Sequence, residues 1–300
     1  MIRKEKSPRV FGLGQCCLDY IGRIHAYPPA DAKVEISELV IQGGGPVATA
    51  LVALSRWGIP GTFAGVIGDD PLGEKIKASL DEEGIDTSGL HVRKGFESQF
   101  AFIAAQPGLG TRTVFWRRPT GPSLQPEEIN YRVLRESKVL HTDGLSIEAS
   151  LAAAREARNA GVRVVVDSGT LREGLLELAR LSDAFIVSET FAAALARDPV
   201  DACRKLGELG PRVVGVTLGS KGYVASEEGK IWQRPAYPVE AVDTTGCGDI
   251  FHAGFIYGLI CGWRAEKSFD LAAWSAAMAS RKMGGRSGIP SLKEMQDQGF

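Results

Sequence analysis

The sequence predicts an α/β fold: a three-layer α/β/α sandwich on a mostly parallel central sheet, with a small β-sheet lid. Three observations carry this. Short apolar runs, "RVFGLG" (9–14), "TFAGVIG" (62–68), "KVLHTDG" (138–144), "VRVVVDSG" (162–169), "AFIVSE" (184–189) and "RVVGVTLG" (212–219), each end in glycine, serine or an acid. Alanine- and leucine-rich stretches with helical character, such as 46–57, 148–160 and 173–181, lie between most of them. Two β-rich segments, about 20–42 and 97–117, interrupt that alternation.

The alternation of strand and helix is the pattern of a parallel sheet covered on both faces. In such sheets ligands bind beyond the carboxyl ends of the strands, where these glycines and acids fall. The two interrupting segments are expected to form a separate small sheet that covers this open end and excludes water; extension of the main sheet at one edge is the alternative. Within the second segment, "PGLG" (107–110) separates two β-rich runs as a hairpin turn would. The stretch 118–126, "RPTGPSLQP", reads as the loop returning from the lid.

At 300 residues and 32.1 kDa, with no internal repeat, the chain is read as one domain over residues 1–300 with the lid segments inserted in it. A net charge of -1 and a pI of about 6.5 give no electrostatic reason to expect nucleic acid or an anionic membrane as partner. The five cysteines, at positions 16, 17, 203, 247 and 261, fit neither a disulfide framework nor a metal knuckle, so a reducing, cytoplasmic setting is expected. No apolar run approaches the roughly 18 residues of a membrane span, and the basic N-terminus lacks an apolar core, so a soluble, unprocessed protein is expected. The four histidines make no metal-ligand spacing.

The chemistry concentrates in "AVDTTGCGDIFHAG" (241–254). Read as a loop entering a helix at about Cys247, with Ile250, Phe251, Phe255 and Leu259 on one face, it presents unpaired N–H groups and the positive end of the helix dipole to an anion. Gly246 and Gly248 remove side-chain bulk, so a phosphoryl group can approach those amides. A carboxylate in such a place opposes anion binding, unless Asp249 is there to take a proton from a nucleophile attacking that phosphoryl group. An ordinary N-capping aspartate is the bland alternative. A second glycine cluster, "QGGGPVATALVALSRWG" (42–58), also opens a helix, but it is neither a Walker A loop nor a GxGxxG turn.

Taken in order, the strand leading to Asp19, "GGGPVATALVALSRWG", "VIGDDPLGEKI" (66–76), "VTLGSKGYV" (216–224) and "DTTGCGDIFHAGF" (243–255) closely resemble the ribokinase-like (PfkB) carbohydrate kinases, from about residue 9 to 291. The resemblance implies that Asp249 is a catalytic base that deprotonates a sugar hydroxyl, and that Gly246, Cys247 and Gly248 form the anion hole. It places Asp19, Gly44, Gly45 and Thr49 at sugar-contacting positions, and Thr217, Gly219, Gly222 and Thr245 along a nucleotide groove bordered by Gly285. Mg-ATP is implied as donor. Asp243 matches an acid associated with a monovalent cation (K+), and Glu189 is what remains of the usual magnesium-linked N-x-x-E, which reads "SETF" here.

In detail, "GGGPVATA" with Thr49 where many relatives carry asparagine, "SE" for "NE", and the tail "GGRSGIP" (284–290) look most like the branch that contains the sulfofructose kinases. The implied reaction is phosphoryl transfer from ATP to a primary hydroxyl of a small, ketose-like sugar or sugar derivative. An anionic sugar, clamped by Arg117 or Arg118, and a nucleoside are alternative acceptors; the two arginines are equally readable as solvated lid residues. A sugar-binding regulator without turnover is the non-enzyme alternative. Cys247 should contribute only its backbone N–H, its thiol made reactive by the helix N-terminus. A homodimer through the lid sheet is expected, because such a sheet has one face left to cover.

Overall fold

The computed structural model describes residues 9–106 and 111–300. The "PGLG" turn and the first eight residues therefore lie outside the described residues. The main sheet is built from β1 (Val10–Leu13), β4 (Gly61–Gly68), β5 (Asp86–Arg93), β8 (Val139–Thr142), β9 (Arg163–Ser168), β10 (Ala184–Ser188), β11 (Val213–Thr217), β12 (Tyr223–Glu227) and β13 (Lys230–Arg234). Its order is β13-β12-β11-β10-β9-β8-β1-β4-β5. All pairings are parallel except β11 with β12 and β12 with β13. The central strands carry almost unbroken Val, Ile, Leu and Phe because helices cover both of their faces.

One face is packed by α1 (Pro46–Arg56), α8 (Cys247–Ile260) and α9 (Ala265–Ala279), whose Leu51, Phe255 and Phe269 belong to one apolar cluster. The other is packed by α4 (Ile147–Asn159), α5 (Leu175–Arg180) and α7 (Pro199–Gly207), with Ala153, Leu178 and Leu206 in a second cluster. These are the three expected layers. The stripe of Ile250, Phe251, Phe255 and Leu259 understates α8, which is buried nearly all round between α1 and α9. Its glycines permit this: a Cβ at Gly254 would stand 2.7 Å from Ala272 Cα.

The interrupting segments form a sheet of their own. β2 (Cys17–Arg23), β3 (Glu38–Gly44), β6 (Phe100–Gln106) and β7 (Thr111–Arg117) pair in the order β3-β2-β6-β7. The lid is thus separate from the main sheet and not an extension of its edge. Its pleat sorts side chains by parity. Asp19, Gln42, Ala101 and Trp116 are in register on one face, and Tyr20, Ile41, Phe102 and Phe115 on the other. Ile21, Ala101 and Ile103 on the first face form a small core with Met283.

Candidate active site

Helix α8 begins at Cys247 with Gly246 as its N-cap in the left-handed region (φ 74°), a conformation that favours glycine. Gly246 also lies against the chain: a Cβ there would meet Gly285 Cα at 2.7 Å. Asp249 stands in the first helical turn and not at the cap, and its carboxylate has no hydrogen-bond partner among the described residues. That removes the N-cap alternative. Burial pushes its pKa well above the usual carboxylate range, the nearby Asp167 and Asp19 push it further, and Arg112 and Arg286 draw it back.

The first turn of α8, where an anion hole is expected, is open at Gly248. No atom lies within 4 Å of the place a Cβ would take at Gly248. The amide of Cys247 donates to Thr244 O at 3.3 Å, so the free donors belong to the residues that follow it in the first turn. Burial, aided by Asp243 and Asp249, pushes the Cys247 thiol up to about 12 and outweighs Arg112 and the helix terminus. The expected reactive thiol is therefore corrected to an inert one.

From the lid, Asp19 reaches toward this helix. It is 7 % exposed and accepts a hydrogen bond from the Cys17 thiol at 3.0 Å. Gly44 leaves room for it: a Cβ there would come within 2.0 Å of Asp19 Oδ2. Gly45, at φ 99°, caps α1, and its lack of a side chain lets the chain pass Gln15 O. Thr49 is buried in α1, with its amide on Gly45 O.

A cleft of about 620 Å³ runs from Gly248 and Cys247 past Thr244 to Thr217, Gly219 and Gly222. Its far walls are Ala236, Pro238, Val239, Ala273 and Ala277, small apolar residues that would sandwich a planar base. Size, apolar end and helix N-terminus together fit a nucleotide with its phosphates toward α8. Thr245 is not on this wall; its hydroxyl and amide both donate to Asp243 Oδ1, at 2.7 and 2.9 Å. Asp243 Oδ2 accepts the amide of Gly284 at 2.9 Å, so this buried carboxylate ties the loop before α8 to the tail beside Gly285.

Glu189, the first residue of α6 (Glu189–Leu195), is half exposed and ion-paired to Lys221 at 2.8 Å. No cluster of three or more His, Cys, Asp or Glu able to hold a metal occurs among the described residues. A magnesium ion brought by the nucleotide would be held chiefly by phosphate oxygens and water.

Arg117 is on the wrong face of its strand. It is paired in register with Phe100, opposite in parity to Asp19, and forms an ion pair with Glu97. Arg118 lies over the Trp116 ring. The lid arginine that does reach the candidate site is Arg112, whose Nη1 donates to Thr244 Oγ1 at 2.5 Å near the start of α8.

Sequence reasoning also missed Asp143 and Asp167, although both end apolar strands over the open edge of the sheet. Asp143 accepts the amides of Gln15 and Leu145, and burial raises it to about 6. Asp167 is raised by burial and stands 3.3 Å from His252 Nδ1. His252, in the first turns of α8, contacts Gly248 O at 2.7 Å and stacks on His141.

The protein-family model described as "pfkB family carbohydrate kinase" matches residues 8–292. A curated ribokinase of Haemophilus influenzae is 31% identical, with 94% of this chain and 95% of that protein covered. An ATP-dependent ribose-1-phosphate kinase of Halopiger xanaduensis is 27% identical, with 93% of this chain and 94% of that protein covered. The solved ribokinase of Arabidopsis thaliana, complexed with ribose and ATP, superposes with a TM-score of 0.83 at 22% identity over 97% of this chain and 98% of its own, and shows the same fold. The chain belongs to the pfkB family of carbohydrate kinases.

Proposed function

We propose that this protein transfers the γ-phosphoryl group of ATP to a primary hydroxyl of a small sugar or sugar derivative, with Asp249 as the general base. One observation carries the reading: a carboxylate with no hydrogen-bond partner stands in the first turn of α8, where the cleft meets the lid. Magnesium-bound ATP supplies an activated phosphoryl group with part of its charge neutralised. Asp249 accepts the proton of the attacking hydroxyl. The first-turn amides of α8 and the guanidinium of Arg112 stabilise charge on the transferring group, a contribution worth several kcal/mol from preorganised donors. Asp19 orients the hydroxyls that do not react. The lid closes over them and keeps water from competing as acceptor.

Finer points follow from the same residues. The acceptor is ketose-like, in the branch that includes the sulfofructose kinases, on the strength of "GGGPVATA", "SE" and "GGRSGIP". The orientation of Arg117 favours a neutral sugar over one gripped by that arginine. Glu189 would act through water on a bound magnesium ion, and Asp243, which ties Thr245 to Gly284, would organise the loops around a bound monovalent cation. The protein works as one kinase domain in the cytoplasm, a setting supported by five free cysteines, and pairs through its lid.

Transfer from labelled ATP across sugars, sugar phosphates and nucleosides tests the proposal, and a panel with no labelled product sinks it. In Asp249→Asn, turnover is expected to fall at least about a hundredfold with ligand binding largely kept. Unchanged turnover removes Asp249 from the base role.

A further inference from the structure

Two adjacent cysteines stand where the chain enters the lid, Cys16 just before β2 and Cys17 as its first residue, and both are buried. Successive side chains of a strand take opposite faces. The Cys16 thiol turns to the main sheet, 3.7 Å from Val66 O, while Cys17 shares the inner face of the lid with Asp19, two residues on. There the Cys17 thiol donates to Asp19 Oδ1 at 3.0 Å. Among the described residues it is the one hydrogen-bond donor to that carboxylate. A thiol is a weak donor, and an ionised acceptor in a site shut off from water strengthens the bond.

The contact also sets which way the carboxylate lies. Across the pair β2 and β3, Cys17 is in register with Gly44. Asp19 Oδ1 rests on Cys17 and Oδ2 lies over Gly44, where a Cβ would stand 2.0 Å from it. The side chain therefore leans back along its strand over the Cys17 and Gly44 pair. It turns away from Ile21 and Val40, the next pair on the same face, which belong to the small apolar core. Burial raises the Cys17 thiol well above its ordinary value, so it keeps its proton. Burial raises Asp19 too, and the bond from Cys17 draws it back.

We propose that Cys17 is a positioning residue of the acceptor site: its thiol holds Asp19 Oδ1, so that Oδ2, above the bare backbone of Gly44, is the oxygen presented to an acceptor hydroxyl. The inference rests on the reading of Asp19 as a sugar contact, and Cys17 acts through Asp19.

Infrared spectroscopy of the S–H stretch tests the bond with no acceptor present, the Cys17 band being assigned by its loss in C17A. That band is expected below those of Cys16 and Cys203, whose thiols reach only backbone carbonyls, at 3.7 and 3.8 Å. D19N, which removes the charge of the acceptor, is expected to move it up toward them. A Cys17 band that coincides with the other two, or that D19N leaves in place, overturns the proposal. With the acceptor that yields labelled product in the panel above, C17A is expected to raise the acceptor KM about fivefold and keep kcat within about twofold. C17S, which keeps a donor on the same carbon, should recover most of that loss. An unchanged KM in C17A overturns the proposal, and so does an equal rise in C17S, since the loss is then one of packing. Should C17A not fold, C17S also lacks the S–H band and assigns it, and the response of that band to D19N decides. A transfer panel without product counts against the kinase reading, and an unmoved band against Cys17.

Discussion

At the scale of single residues, the first turn of α8 shows how burial and dipole compete. A helix N-terminus lowers a thiol's pKa by offering partial positive charge. Cys247 has that advantage and loses it, because desolvation and the flanking Asp243 and Asp249 act in the opposite sense. At neutral pH it is therefore almost wholly the thiol. Treatment with iodoacetamide at pH 7.5 should modify the exposed Cys261 well before Cys247, as read by mass spectrometry of the peptides. Cys247→Ala should keep turnover within about twofold, since any small residue supplies the same backbone. Rapid alkylation of Cys247 with loss of activity would contradict both statements. Asp249 obeys the same physics with a different result: its raised pKa makes it a better proton acceptor once ionised, and activity should fall as pH drops through that raised value.

At the scale of elements, the lid must be anchored where its last strand returns to the body. The return loop ends in a short 3-10 turn, Pro126–Glu128, and Glu128 is clamped by Arg93 from the end of β5. Both carboxylate oxygens are engaged, each at 2.6 Å, in the bidentate geometry that makes arginine pairs strong. Arg93 holds the Glu128 carboxyl well below its ordinary value, down to about 2. The pair's contribution is therefore complete above the unfolded value near 4.5 and is lost as pH falls through about 2. Glu128→Gln should cost about 1–2 kcal/mol at neutral pH in urea unfolding, with the difference from wild type vanishing in strong acid. An equal difference at both pH values would show that the loss is one of packing and not of charge.

At the scale of the whole molecule, the parity of the lid strands divides its labour. One face carries Asp19 and Arg112 toward the body, and the other carries Leu39, Ile41 and Phe115, which are all exposed. An apolar sheet face of this kind is what a second copy would cover. The expected outcome is a dimer by light scattering after size exclusion, and a monomer for Phe115→Glu with its thermal transition little changed. A wild-type monomer at tens of micromolar would refute pairing through the lid.

Much of this architecture was legible from the chain, because hydrophobic periodicity and glycine placement are local properties. They predicted the alternating layers, the separate lid and the start of α8 at Cys247. The antiparallel edge strands β12 and β13 were missed, since short strands joined by a tight turn carry little periodic signal. Arg117 and Arg118 were singled out and Arg112 was not, because composition shows that a lid has arginines but not which face each one takes. Five positions apart on a strand puts Arg112 and Arg117 on opposite faces, and only the pairing register says which face meets the site. Asp143, Asp167 and Arg286 were likewise visible as residues but not as neighbours. What the sequence by itself determined was the fold class and the grouping of glycines and carboxylate at the α8 entrance, which are adjacent in the chain. The tertiary structure alone decided which distant charges surround that carboxylate, because long-range electrostatics depends on separation in space, and separation along the chain does not measure it.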